Sequence, residues 1–140
     1  MITNNEEYTK KKILIVDDES DICIALKEVL EGNGFNVDTF IDPTLVLENF
    51  KSNMYDLLIL DIKMPVLNGF QLYEQMKKID PNIKAFFLTA LTDLQEYDAF
   101  KKEVFPKQGE RHFIQKPIEN EEILERVNAM IDSNLNTVGK

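Results

Sequence analysis

The chain has 140 residues, enough for one domain with a buried core, and its 44% hydrophobic and 29% charged content is typical of globular proteins. Sixteen basic and 25 acidic residues give a net charge of −9, which argues against direct binding to nucleic acid or to anionic membranes. One cysteine excludes an internal disulfide, and no apolar run approaches the roughly 20 residues of a membrane helix, so we expect a soluble cytoplasmic protein.

The distribution of polar and apolar residues predicts a single domain between two short tails. Residues 1–11 and 135–140 are polar and are expected to lie outside the fold. The domain itself is predicted to span residues 12–134, which leaves no residues for a second domain in this chain.

Five short apolar runs predict five β-strands. They occupy, in chain order, residues 13–16, 35–40, 57–60, 85–88 and 113–114. Most of these runs are continuously apolar rather than alternating, which is typical of strands buried on both faces of a parallel sheet.

Helical periodicity between the strands predicts five helices. Their apolar residues recur every three or four positions within residues 22–30, 43–50, 70–79, 94–100 and 123–131. Gly32 and Gly34 are expected to end the first helix, and Asp42-Pro43 to open the second. The alternation of strands and helices predicts a parallel sheet with helices on both faces.

Polar residues follow four of the predicted strands. Asp17 and Asp18 follow the first, Asp61 the third, Thr89 the fourth and Lys116 the fifth. Because the carboxyl ends of parallel strands share one edge of the sheet, we expect these side chains to meet in one pocket.

These residue types suit phosphoryl transfer to a carboxylate. Three crowded carboxylates repel each other unless a cation joins them, and Lys116 and Mg²⁺ both fit that need. The hydroxyl of Thr89 adds a donor for a phosphoryl oxygen, and a carboxylate is a competent nucleophile that forms an acyl phosphate. Positioning and charge neutralisation are what such a reaction requires.

Each of these residues taken alone has an ordinary structural explanation. Asp17-Asp18 fits a turn or helix cap, Asp61 a strand-end acid, Thr89 a structural hydroxyl and Lys116-Pro117 a loop. All of these explanations would have to hold together at matching strand ends, and the convergence therefore favours a functional site.

The same residues carry a family likeness. The matching stretches are Val16-Asp17-Asp18-Glu19, Leu60-Asp61-Ile62-Lys63-Met64-Pro65, Asn68-Gly69, Leu88-Thr89-Ala90 and Phe113-Ile114-Gln115-Lys116-Pro117. Over residues 12–134 the chain resembles the receiver domains of two-component response regulators. The resemblance implies a flavodoxin-like α/β fold, a doubly wound sheet of five parallel strands in the order 2-1-3-4-5 with five helices and three layers.

The resemblance also implies a role for each acidic residue. Asp61 would be the acceptor of a phosphoryl group from a kinase phosphohistidine. Asp18 and Asp61 would bind Mg²⁺ directly, together with the backbone carbonyl of Lys63, and Asp17 would hold the ion through water.

Four residues near the ends of the fourth and fifth strands complete the implied set. Lys116 would pair with the phosphoryl group, and the hydroxyl of Thr89 would reach it on activation. Phe113 would be an aromatic switch that turns inward as Thr89 moves, although a core aromatic without that role is an equal alternative. Pro117 lies where family members have a cis peptide bond.

The implied function is a phosphorylation switch rather than an enzyme, with only self-catalysed phosphoryl transfer and autodephosphorylation. Its partners would be a sensor histidine kinase or phosphotransfer protein and an unknown downstream protein, and it would be a monomer or a phosphorylation-dependent homodimer. Two alternatives are a pseudo-receiver that is never phosphorylated and a phosphatase or phosphotransferase with an aspartyl intermediate. An enzyme of the second kind would usually have another acid two residues after the nucleophile, and this chain has Lys63 at that position.

Two features depart from the family pattern. Residues 104–111 are the extra material in a stretch between Thr89 and Lys116 that is longer than expected, and this leaves the partner surface open. Lys63 and Leu91 lie two positions beyond Asp61 and Thr89, where the family tunes access of the hydrolytic water, so we expect an altered phosphate lifetime.

Overall fold

The computed structural model describes residues 10–90 and 112–138, and within these ranges it contains five strands and four helices. The strands are β1 Lys12–Val16, β2 Asn36–Phe40, β3 Leu57–Asp61, β4 Ala85–Thr89 and β5 Phe113–Gln115. The helices are α1 Ser20–Glu31, α2 Pro43–Asn49, α3 Gly69–Ile79 and α4 Asn120–Val138. The helix predicted at residues 94–100, the extra residues 104–111 and Leu91 lie outside the described ranges.

The strands form one parallel sheet in the order β2-β1-β3-β4-β5, as predicted. β1 and β3 are central, and Val16 pairs with Leu60 near their carboxyl ends. Asp61 pairs with Leu88, and Thr89 with Gln115, along the same edge. This register brings the chain segments that follow β1, β3, β4 and β5 to the carboxyl edge of the sheet.

The sheet is the middle of three layers. Ile13 and Ile15 of β1 face one core, which includes side chains of α1 and α4, whereas Leu14 and Val16 face the other core, which includes side chains of α2 and α3. Successive side chains of a strand point to opposite faces, so a strand covered on both sides must be apolar at every position. This explains the unbroken apolar runs in the sequence.

Side-chain caps fix where two of the helices begin. Asp42 accepts hydrogen bonds from the backbone N–H of Thr44 at 2.9 Å and from its hydroxyl at 2.7 Å, with Pro43 in the first turn. Asn68 and Gln71 bond each other's backbone N–H groups at 2.8 and 2.9 Å in a capping box that starts α3.

The last helix is longer than the sequence suggests. α4 continues to Val138 and therefore includes residues 135–138, which were assigned to a polar tail. No helix within residues 10–90 and 112–138 combines the length and the apolar character needed to cross a bilayer.

Candidate metal centre at the carboxyl edge of the sheet

Three aspartates form a carboxylate cluster at the carboxyl edge of β1 and β3. Asp17 and Asp18 follow β1 directly, Asp61 ends β3, and one oxygen of each lies within 4.8 Å of the other two. Asp17 is fully buried and Asp61 is 5% exposed, whereas Asp18 is exposed. The cluster is therefore closed on the protein side and open to solvent beside Asp18.

Lys116 supplies the cation of this cluster. Its Nζ lies 3.1 Å from Oδ2 of Asp17 and 3.2 Å from Oδ1 of Asp61. The same Nζ donates a hydrogen bond to Oε1 of Glu19 at 3.1 Å. The backbone N–H of Lys116 bonds the carbonyl oxygen of Thr89 at 2.8 Å, which fixes the start of the lysine side chain beside the site.

One ammonium group does not neutralise two buried carboxylates. Burial, and after it the neighbouring charge of Asp17, raise the pKa of Asp61 to about 7, while Lys116 acts in the opposite direction. Burial is also the main cause that raises the pKa of Asp17. Burial alone would lower the pKa of Lys116, but the charges of Asp17 and Asp61 raise it. The site therefore has an excess of negative charge.

An unsatisfied oxygen indicates where a further cation would act. Oδ1 of Asp17 accepts a hydrogen bond from the backbone N–H of Glu19 at 2.9 Å. Oδ2 is buried and, among the described residues, receives no hydrogen bond of acceptable geometry, although Lys116 pairs with it as a charge. Buried polar atoms are normally satisfied, and three carboxylates are ligands that Mg²⁺ prefers. The donor set therefore fits this ion.

The loop after Asp61 packs closely against the backbone of β3. The N–H of Gly69 bonds the carbonyl oxygen of Ile62 at 2.9 Å, and a Cβ atom at position 69 would collide with the carbonyl oxygen of Asp61. Only glycine fits there. The side chain of Lys63 is exposed in the same loop. Val66, also in this loop, has φ +73° and is 88% exposed, an uncommon backbone conformation for a β-branched residue.

Thr89 and Phe113 are both buried. The hydroxyl of Thr89, which is 3% exposed, donates to the carbonyl oxygen of Ala90 at 3.1 Å. The ring of Phe113 packs against Phe87 and Phe70, with centroids 5.5 and 6.4 Å apart, and is thus a core aromatic in this structure. Its switching role stays a prediction.

The start of β5 makes a further contact with α4. The guanidinium of Arg126 on α4 donates to the carbonyl oxygen of Phe113 at 2.7 Å. The peptide bond between Lys116 and Pro117 is cis.

Two residues of this site were missed in the sequence. Glu19 contributes a hydrogen bond to Asp17 and an ion pair to Lys116, and only its position directly after the acidic pair gave any signal. Gly69 was noted only within a stretch that matches the family, whereas its main role is to let the start of α3 approach β3. The contact of Glu19 with Lys116 joins segments 97 positions apart, so the local sequence does not reveal it.

Comparison with known families identifies the fold independently. The family described as "Response regulator receiver domain" matches residues 13–128. Transcriptional regulatory protein RprY of Bacteroides fragilis is 28% identical over 94% of this chain and 57% of its own length. Response regulator ArlR of Staphylococcus saprophyticus is 32% identical over 86% of this chain and 52% of its own. The chain thus spans about half the length of these curated relatives.

Solved structures agree with this result. A response regulator receiver domain protein from Clostridium thermocellum is 31% identical, with a TM-score of 0.75 over 91% of this chain and 98% of that one. The receiver domain of HemR from Leptospira biflexa, in its non-phosphorylated form, is also 31% identical, with a TM-score of 0.74 over 87% and 94% of the two chains.

Proposed function

This chain belongs to the response regulator receiver domain family, and on that basis we propose that Asp61 accepts a phosphoryl group from a phosphohistidine of a sensor kinase or phosphotransfer protein. The observation that carries the proposal is the buried pair of Asp17 and Asp61, which share one lysine and have too little positive charge around them. A purely structural acid pair would be expected to have its charges satisfied within the fold.

We infer that a bound magnesium ion balances the excess negative charge of this cluster. Asp18 and Asp61 would bind the ion directly with the carbonyl oxygen of Lys63, and Asp17 would hold it through water. Bound Mg²⁺ would supply positive charge that balances the negative charge developing on the phosphoryl oxygens during the transfer. The exposed position of Asp18 leaves a route by which ion and phosphodonor reach the cluster.

The chain's own residues account for the chemical step. The ionised carboxylate of Asp61 attacks phosphorus, an acyl phosphate bond forms, and the bond from phosphorus to the donor nitrogen breaks with its electron pair returning to the imidazole. Nζ of Lys116, now 3.2 Å from Oδ1 of Asp61, is close enough to turn to a phosphoryl oxygen. Added positive charge lowers the raised pKa of Asp61, which keeps the nucleophile ionised at neutral pH.

We infer that phosphorylation is read out through Thr89 and Phe113. The hydroxyl of Thr89 would leave the carbonyl oxygen of Ala90 for a phosphoryl oxygen, because charge-assisted hydrogen bonds are the stronger ones. The ring of Phe113 lies on the neighbouring strand and packs against Phe87. A movement of Thr89 would change this packing. A downstream protein, or a second copy of the chain, would bind the altered surface.

Intact mass after incubation with Mg²⁺ and acetyl phosphate tests the proposal. The expected product carries one labile phosphoryl group, which is absent with chelator and in Asp61→Asn. Asp56→Asn is the matched control, because Asp56 is an aspartate at the opposite edge of the sheet that accepts the backbone N–H of Lys12 at 2.8 Å, and it should be phosphorylated normally.

Two other results would contradict the proposal in different ways. No adduct from either a small donor or a histidine kinase would favour the pseudo-receiver. Continuous turnover of many phosphoesters would favour the phosphatase or phosphotransferase.

A further inference from the structure

The ammonium group of Lys116 is shared by three carboxylates. Nζ lies 3.1 Å from Asp17, 3.1 Å from Glu19 and 3.2 Å from Asp61. A lysine has three N–H donors, and in this structure Glu19 accepts a hydrogen bond from one of them, while Oδ2 of Asp17 pairs with the ammonium only as a charge. The partners differ in burial, since the side chains of Asp17 and Asp61 are 0% and 7% exposed and that of Glu19 is 63% exposed.

The Glu19 side chain has no other structural task in the described part of the chain. Glu19 is the N-cap residue of α1, but its side chain makes no capping hydrogen bond. Its backbone does the structural work, because the N–H bonds Oδ1 of Asp17 at 2.9 Å and the carbonyl oxygen accepts from the N–H of Ile22 at 3.1 Å. The carboxylate is thus directed to Lys116 alone.

A phosphoryl group on Asp61 must compete for this lysine. It brings strong acceptor oxygens and negative charge to a point where Nζ of Lys116 already pairs with three carboxylates, and only the contact with Asp61 passes directly to the phosphoryl group. The ammonium can turn further toward the phosphoryl oxygens only by weakening its pairing with Asp17 or Glu19. The ion pair with Glu19 is exposed, and exposed ion pairs are the weakest kind, so this is the contact that costs least to break.

We propose that Glu19 is a positioning residue that restrains Lys116 and competes with the phosphoryl group for it, so that Glu19 limits how strongly the site holds that group. This inference rests on the proposed function of Asp61. It assigns to Glu19 a regulatory role in the same site: the carboxylate holds the lysine in place before phosphorylation and opposes the phosphorylated state by competition and by its charge.

Binding of beryllofluoride, an anionic analogue of the phosphoryl group, tests the role of Glu19. In the presence of saturating Mg²⁺, Glu19→Gln should bind the analogue about two- to fivefold more tightly than the wild type, the range that an exposed ion pair allows. The substitution keeps the side-chain length and leaves the backbone contacts of Glu19 intact. Glu19→Ala is a second variant with the same expected direction.

Asp21→Asn is the matched control for charge. Asp21 lies in the first turn of the same helix, and its carboxylate forms no ion pair with any residue that the structure describes. Its removal should leave affinity for the analogue close to that of the wild type. At about 1 M salt, where the screening length is about 3 Å, the advantage of Glu19→Gln should shrink.

A double-mutant cycle with Lys116 separates positioning from a general effect. In the Lys116→Gln background, Glu19→Gln should change Mg²⁺-dependent binding of the analogue no more than Asp21→Asn does. Equal binding by Glu19→Gln and Asp21→Asn in the wild-type background would overturn the inference and leave the proposed function intact. Failure of the wild type to bind the analogue with Mg²⁺ would be a different result, and would remove the proposed function and this inference together.

Discussion

One aspartate at the carboxyl edge of the sheet and one at the amino edge are buried to the same extent, but in different surroundings. Asp61 at the carboxyl edge and Asp80 at the amino edge are both 5% exposed. Asp80 closes a turn, because its Oδ2 accepts from the backbone N–H of Asn53 at 3.0 Å and its own N–H bonds the carbonyl oxygen of Met76 at 2.8 Å. Asp61 instead faces the carboxylate of Asp17 across a shared lysine.

Burial alone therefore does not separate a structural acid from a functional one. A backbone N–H satisfies Oδ2 of Asp80, and the other buried aspartates among the described residues lie at the carboxyl edge. At the carboxyl edge like charges meet, which raises the pKa of Asp61 to about 7, first through burial and then through Asp17. Like charges held together in the fold indicate a site that is completed by a further cation.

The largest expected effect is the loss of the lysine at the carboxyl edge. In chelator at pH 8, Lys116→Met should lower the free energy of unfolding by about 2–4 kcal/mol, because two buried carboxylates lose their cation. At pH 5 the loss should be smaller, since Asp61 is then protonated. Urea unfolding measures both values.

Lys12→Met is the control for this experiment at the amino edge. Lys12 is exposed there, over the ring of Tyr55, and its removal should change stability by no more than about 0.5 kcal/mol. If Lys116→Met is as stable as the wild type at pH 8, the carboxylates do not depend on this cation.

Replacement of Asp61 by asparagine should stabilise the metal-free protein, whereas replacement of Asp80 by asparagine should destabilise it. The pKa of Asp61 is raised from 3.8 to about 7, so the folded state binds its proton more tightly than the unfolded chain. Wild-type stability should therefore fall as pH rises from about 4 to about 7, by at most about 4 kcal/mol at about 1.4 kcal/mol per unit. Asp61→Asn should remove most of this slope and stabilise the metal-free protein at pH 8 by about 2–3 kcal/mol.

Asp80→Asn should destabilise the protein by about 1 kcal/mol at the same pH, because it weakens a charge-assisted hydrogen bond and relieves no repulsion. Unfolding curves at several pH values, in chelator, would check both variants. A loss of stability in Asp61→Asn at pH 8 would contradict the account of the carboxyl edge.

Magnesium should stabilise the protein by binding at the carboxyl edge alone. At a concentration about ten times its dissociation constant, Mg²⁺ should raise the free energy of unfolding by about 1.4 kcal/mol at pH 8. The gain should decline toward pH 5, as Asp61 becomes protonated, and should be lost in Asp18→Asn. Asp56→Asn at the amino edge should keep it. Thermal unfolding with and without the ion provides the measurement, and an equal gain in Asp18→Asn would rule out this site.

The fold was predictable because its signals are local. The unbroken apolar run at residues 57–60 is typical of a strand covered on both faces, and five predicted strands that alternate with helices leave few arrangements. The acidic and basic residues at the strand ends were then predictable as neighbours, because parallel strands place their carboxyl ends together. Asp42-Pro43 likewise marked a helix start that the structure contains.

The parts that the sequence did not reveal depend on contacts between distant segments. Glu19 meets Lys116 across 97 positions of the chain, and Gly69 is required by the backbone of Asp61. The end of α4 was misplaced for a different reason: the polar residues 132–134 interrupt the apolar residues, although Leu135 and Val138 keep the helical spacing from Ile131. Phe35 was assigned to a strand, but β2 begins at Asn36 and Phe35 packs from the preceding turn.

The smallest expected effect concerns backbone strain, which also differs between the edges. Asn53 at the amino edge and Val66 at the carboxyl edge have φ of +66° and +73°. Asparagine tolerates this conformation, whereas a β-branched residue does not, so Val66→Gly should stabilise the protein by about 1 kcal/mol and Asn53→Gly by only a few tenths. Because Val66 is 88% exposed, its removal forfeits almost no packing that would mask the gain. Chemical denaturation of the two variants decides the point, since equal effects would show that the loop after Asp61 is no more strained than the turn held by Asp80.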